Sequence, residues 1–121
     1  MRKLIIWLMT WLILSYHAYS QQIIAVDKWK EYVDNLADDA AGSEKLETLY
    51  TELSYLSEHP FDLNRVTEEQ LSRLPFLSDK QVEQILRYRK RVRSFVSVYE
   101  LKAIYGMDYA TVELLYPFVY I

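Results

Sequence analysis

Residues 87 to 93 read RYRKRVR, and five of the seven are basic. A run of this kind does one sort of chemistry, attraction of an anion, and a helix divides it into faces. At helical spacing Arg87, Lys90 and Arg91 share a solvated side, while Arg89 falls with Val82, Ile85 and Val92 on the apolar side. Arg89 is therefore expected to be structural, its guanidinium tying down hairpin carbonyls while its stem packs. The other three read first as the cationic end of a helix, favoured by the dipole and by acids such as Glu83. The competing reading is an anion-binding patch for nucleic acid or an acidic partner, to which Lys80 and Arg73 would add.

Little else has the residue types or spacing for chemistry. The chain has no cysteine, which excludes disulfides, thiol catalysis and cysteine-based metal sites. Beyond residue 20 the one histidine is His59, beside Pro60, where a surface or packing role is expected. The acid pairs Asp38-Asp39 and Glu68-Glu69 are adjacent in sequence, so a helix sends them to different faces and no acid/base dyad results. No phosphate-binding loop and no nucleophile motif is present. The chain reads as non-enzymatic, with no call for a cofactor, a metal or a small-molecule substrate.

The elements that must position these residues are helical. Two glycines and three prolines in 121 residues, with alternation almost nowhere, point to an all-α protein. Residues 27 to 38 place Trp29, Tyr32, Val33 and Leu36 at helical spacing. Ser43 is a candidate N-cap for a second helix from Glu44 to about Ser57, with Leu46, Leu49, Tyr50, Leu53, Tyr55 and Leu56 as its apolar stripe. Together these predict an antiparallel helix pair, ended at His59-Pro60 because the residue before proline is pushed out of helical geometry.

From residue 66 the sequence repeats itself at an offset of 30. Val66-Thr67 matches Val96-Ser97, Leu71 matches Leu101, Leu74 falls on Ile104, Leu77 on Met107, Ser78 on Asp108, and Val82-Glu83 on Val112-Glu113. This is a duplicated helix–turn–helix unit. Thr67 with Gln70, Ser78 with Gln81 and Ser97 with Glu100 each fit the capping-box spacing, and Asp108 is a fourth N-cap. The predicted helices are 68–74, 79–92, 98–104 and 109–116, two short and two longer, in paired hairpins.

These residues carry a family resemblance. Leu63-Asn64, Val66-Thr67, Leu71, Leu74-Pro75, Ile85, Tyr88-Arg89, Phe95, Ser97, Glu100-Leu101 and Gly106 stand in unbroken register over residues 61–121. In this pattern the chain resembles the tandem helix-hairpin-helix module, (HhH)2-like, of the ComEA-like competence and DNA-binding proteins. The acidic helical stretch ahead of it is similar to that of exported members in Bacteroidetes. The resemblance implies sequence-non-specific DNA binding outside the cytoplasmic membrane, with a role in DNA uptake, through hairpin amides that grip a phosphate. Such hairpins use glycine to let the backbone approach. Here the first turn is Phe76, Leu77 and Ser78 in place of both glycines, and the second is Gly106, Met107 and Asp108, with one retained. Asp79 and Asp108 put carboxylates at helix starts where a phosphate would sit, and Leu77 and Met107 are expected to plug into the core. Arg93 also stands where the family has glycine. The candidate DNA- or anion-binding residues are Lys80, Arg87, Lys90, Arg91 and Gly106. The alternative is a protein-interaction or scaffold module that has kept the fold and lost the phosphate grip. The tyrosines Tyr99, Tyr105, Tyr109, Tyr116 and Tyr120 are expected mostly as half-buried core or rim residues, an exposed subset suiting a protein interface, with stacking on single-stranded bases the less favoured alternative.

The N-terminus reads as an export signal. Arg2 and Lys3 precede the apolar run of residues 4–14, too short to span a bilayer comfortably, and Ala18-Tyr19-Ser20 offers a cleavage site after Ser20. An uncleaved anchor is the alternative. Three parts are expected: residues 1–20 as signal peptide, 21–60 as an acidic helical extension, and 61–121 as the tandem module, in the periplasm or cell envelope with no membrane span once the signal is removed. The extension has 3 basic and 9 acidic residues, the module 9 and 8. An acidic front half argues against the whole chain coating nucleic acid.

Overall fold

The capping chemistry read from the spacing is what cuts the chain into elements. The computed structural model describes residues 1, 6, 28–37 and 42–121. Apart from Met1 and Ile6, the expected signal segment and its cleavage junction lie outside the described residues. Residues 28–37 are helical (α1), followed by α2 (Ser43–Glu58). A two-residue strand β1 (Phe61–Asp62) leads into α3 (Glu68–Ser72) and α4 (Asp79–Val92). Then come a 3₁₀ helix (Val98–Ala103), α5 (Tyr109–Leu115), a second 3₁₀ turn (Tyr116–Phe118) and β2 (Val119–Tyr120). The chain is all-α but for the short strands, which pair in parallel, Phe61 with Val119 and Asp62 with Tyr120. Among the described residues no helix is long and apolar enough to cross a membrane.

At α3 the Thr67 hydroxyl accepts from the Gln70 amide at 3.2 Å, and the Gln70 side chain accepts from the Thr67 amide at 2.9 Å. Ser78 and Gln81 do the same at α4, at 3.2 and 3.0 Å. The Glu100 carboxylate takes the amides of Val96 and Ser97 at 2.6 and 3.0 Å, and the Ser97 hydroxyl takes that of Tyr99. Asp108 caps α5. Each cap satisfies amides that a helix start would otherwise leave orphaned, typically worth about 1 kcal/mol.

Four details differ from the expectation. The cap of α2 is Gly42, not Ser43, because the Lys45 and Leu46 amides both bond to the Gly42 carbonyl, which makes Ser43 the first helical residue. The third helix of the repeat is 3₁₀ and stops at Ala103, closing with Glu100 to Ser97 and Ile104 to Leu101 bonds of i to i+3 type. The fourth ends at Leu115, one residue early, since Pro117 has no amide to continue it and Tyr116–Phe118 tightens into a 3₁₀ turn. On α2, Tyr50 and Tyr55 stand outside the stripe and are exposed, while Leu53 and Leu56 carry its burial.

One hydrophobic core serves the helix pair and the duplicated unit. Trp29 and Val33 of α1 and Leu53 and Leu56 of α2 join Leu63, Val66, Leu71, Leu74, Leu77, Val82, Ile85, Phe95, Leu101, Ile104, Val112, Leu115, Phe118 and Val119. Trp29 is buried between Tyr50 and Phe118, with ring centroids at 5.4 and 6.0 Å. The two halves of the repeat are held at the LN pair: the Asn64 side chain donates to the Phe95 carbonyl at 3.0 Å and accepts from its amide at 2.6 Å. Asp62 accepts from the Asn64 amide at 2.8 Å and so turns the chain at that point.

Candidate nucleic-acid interface

The two turns are built on one plan. Leu77 bonds back to the Leu74 carbonyl at 3.1 Å, and thirty residues on Met107 bonds to Ile104 at 3.2 Å. Leu77 is buried and Met107 packs half-buried against the core, as expected. The turns diverge at the preceding residue. Phe76 puts its ring against Tyr32 of α1 and Phe118, with centroids at 6.0 and 5.6 Å. Gly106 takes φ +84°, open to solvent, and a Cβ there would meet nothing within 4 Å. Among the described residues its amide has no acceptor.

Gln81 ties the turns together. Its carboxamide oxygen completes the α4 cap while its nitrogen donates to the Gly106 carbonyl at 3.3 Å and to the Asp108 carboxylate at 3.4 Å. Asp108 also accepts from the amide and hydroxyl of Thr111, at 2.9 and 2.7 Å. The Thr111 hydroxyl and amide bonds hold its carboxyl below the usual range. This carboxylate is consumed at the cap, as the sequence suggested. Asp79 is a different case: Ser78 holds the cap, and Asp79 stands exposed in the first turn of α4 without taking the hairpin amides. A cleft of about 390 Å³ opens between the turns, lined by Ser78, Lys80, Gln81, Gln84, Tyr105 and Gly106.

A family model of the helix-hairpin-helix motif matches residues 56–120, more than half of the chain. The protein belongs to the helix-hairpin-helix family. No curated protein and no solved structure matches the chain. The matched region runs from the last turn of α2 to β2, so that α3 and α4 form hairpin 1, and the 3₁₀ helix with α5 forms hairpin 2.

Of the candidate residues of this helix-hairpin-helix protein, Lys80 and Gly106 meet at the cleft. Arg87, Lys90 and Arg91 are exposed further along α4, about 10 to 17 Å from Lys80 at 1.5 Å per residue. They are not equally available. Arg87 pairs with Glu83 on its own helix, and the Arg91 guanidinium lies 5.1 Å from the Tyr88 ring. Lys90 has no such partner among the described residues. Arg73 is bonded to Glu52 of α2 at 2.9 Å and does not line the cleft.

Arg89 is structural, with one correction. Its guanidinium donates to the carbonyls of Leu63 and Val66, at 3.0 and 2.7 Å, which belong to the segment leading into α3 rather than to the turn. Val92, placed by spacing on the apolar side, is exposed at the last residue of α4. The tyrosines overturn an expectation: Tyr99, Tyr105, Tyr109 and Tyr120 are exposed, and only Tyr116 is half-buried. His59 is exposed and stacks on Tyr55 at 4.3 Å. Among the described residues no cluster of acids or histidines is arranged to hold a metal. Gln81 was visible to the sequence only as a local cap residue, and its reach across 25 positions to Gly106 had no local signal.

Proposed function

We propose that this is an exported, ComEA-like helix-hairpin-helix protein that binds DNA without regard to sequence, through hairpin 2 and the start of α4. The observation that carries the reading is the open Gly106 turn, its amide without an acceptor among the described residues, across the cleft from Lys80. A phosphate placed there meets a glycine backbone it can approach closely, a lysine and the positive end of the fourteen-residue helix α4. Lys90 and Arg91, one helix length away, supply a second phosphate contact. These groups read charge and spacing, not base edges, so the binding is non-specific and salt-sensitive. The basic start and apolar run at the N-terminus support export, and with it a role in DNA uptake at the cell envelope.

Hairpin 1 favours a second reading. Its turn is filled by Phe76 and its helix start carries Asp79, an arrangement suited to a protein-interaction module that has lost the phosphate grip.

Fluorescence anisotropy against labelled DNA separates the readings. The DNA reading expects micromolar binding that weakens steeply with salt, and a Lys80→Ala, Lys90→Ala double variant that keeps its fold while the slope of log K against log salt falls by about 0.7–0.9 for each phosphate contact removed. No binding at low salt would leave the interaction-module reading.

A further inference from the structure

Three aromatic rings stand open around hairpin 2: Tyr99, Tyr105 and Tyr109 are 68, 82 and 64% exposed. Single exposed apolar residues are ordinary, but three rings about one turn, with Lys102 exposed among them, form a surface. The repeat supplies a control. Thirty residues earlier, at the matching positions of hairpin 1, stand Glu69, Pro75 and Asp79, and Ser72 matches Lys102. Hairpin 1 folds on the same plan without a ring or a lysine at any of these places. Folding of the unit therefore does not require them.

Two of the rings are also held in place. Tyr99 packs edge-on against Tyr116, centroids 6.0 Å apart at 76°. The Lys102 ammonium lies 5.8 Å from the Tyr99 ring and 5.3 Å from the Tyr109 ring. The Glu113 carboxylate, which pushes the Tyr109 hydroxyl above its ordinary pKa, pairs with Lys28 of α1. Tyr105 forms one wall of the cleft that holds Lys80 and Gly106.

Charge narrows the partner. The carboxylates nearest the rings in the chain are turned to internal work: Glu100 to the Val96 and Ser97 amides and the Tyr88 hydroxyl, Asp108 to Thr111 and Gln81, Glu113 to Lys28. Asp79, next to Lys80 in the chain, is left uncommitted among the described residues. Lys80 and Lys102 have no carboxylate within ion-pair distance among the described residues. A ligand that suits this surface carries negative charge at intervals and flat faces between. An unpaired nucleic-acid strand has both, whereas a duplex hides its base faces in its own stack.

We infer that Tyr99, Lys102, Tyr105 and Tyr109 form a stacking platform for unpaired nucleotides, so that the protein prefers single strands to duplex. The inference rests on the nucleic-acid reading above and names its substrate class. Anisotropy with a fluorescein-labelled oligo(dT) of about 20 nucleotides and a duplex of the same length tests it. The strand should bind more tightly. Tyr105→Ala should weaken strand binding about tenfold, the loss of one base–ring stack, and duplex binding by clearly less, while thermal unfolding stays unchanged, and Tyr105→Phe should retain the strand affinity. Equal affinity for both probes, or a Tyr105→Ala variant indistinguishable on the strand, would overturn the platform and leave hairpin binding of the duplex standing. Binding of neither probe would remove both ideas.

Discussion

Hairpin 1 and hairpin 2 share a register, a turn geometry and a cap at each second helix, yet one faces inward and the other outward. In hairpin 1 the ring of Phe76 is spent on Tyr32 and Phe118, which joins the turn to the N-terminal helix and the C-terminal segment. In hairpin 2 the same place is Gly106 at positive φ, with open space around it. Their caps differ as well. Hairpin 1 closes its helices with Thr67–Gln70 and Ser78–Gln81, which carry no charge, and hairpin 2 with Glu100 and Asp108. A duplicated unit can divide its duties in this way, because stability lost by exposing one copy is recovered by burying the other.

The strongest way to break the comparison is at Phe76. Replacing it by Ala removes an aromatic contact that anchors α1, and a loss of about 3 kcal/mol in urea unfolding is expected, at the low end for a Phe truncation because the ring is half-buried. A loss below about 1 kcal/mol would mean that hairpin 1 is not the docking point for the helix pair.

Backbone strain gives the next largest effect. Gly106→Ala should cost about 1–2 kcal/mol through its positive φ alone, since no clash accompanies the new methyl. The opposite change is available between the hairpins: Arg93, the family's glycine position, sits at φ 73°, ψ −41°. Arg93→Gly should raise stability by up to about 1 kcal/mol, seen as a later urea midpoint with unchanged slope.

The smallest effect is with pH. The Val96 amide bond, followed by those from Ser97 and Tyr88, holds Glu100 below its ordinary range, and the Thr111 bonds do so for Asp108. A carboxylate with a depressed folded pKa contributes stability that is complete above its unfolded value, about 4, and is lost as pH falls through the folded value. Acid should therefore loosen hairpin 2 before hairpin 1. Amide exchange followed from about pH 5 to below pH 3 should show protection failing first in the Val98–Ala103 turn and α5, with α3 and α4 outlasting them. Simultaneous loss would show that the neutral and charged caps do not set the order.

Much of this contrast was legible before any coordinates. The capping boxes, the offset-30 repeat, the burial of Leu77 and the structural role of Arg89 all follow from residues a few positions apart or from matched registers. The candidate site was legible only in part. Spacing put Arg87, Lys90 and Arg91 on a solvated face with Glu83 nearby, but it could not show that the Tyr88 ring takes Arg91 and that Lys90 is left. Nor could it place Lys80 beside Gly106, since the link runs through Gln81 across the cleft. The tyrosines misled it because an aromatic at helical spacing has the same pattern whether its face is covered or bare.

The sequence by itself determined the helices, their caps and the family plan, because those depend on backbone groups and side chains within about one turn of each other. Only the tertiary structure decided that Phe76 points into the core, that Gly106 stays open, and that the three tyrosines around hairpin 2 stand uncovered. Each of those outcomes depends on what packs against a residue from far along the chain, as Tyr32 and Phe118 do against Phe76. No local spacing encodes that choice.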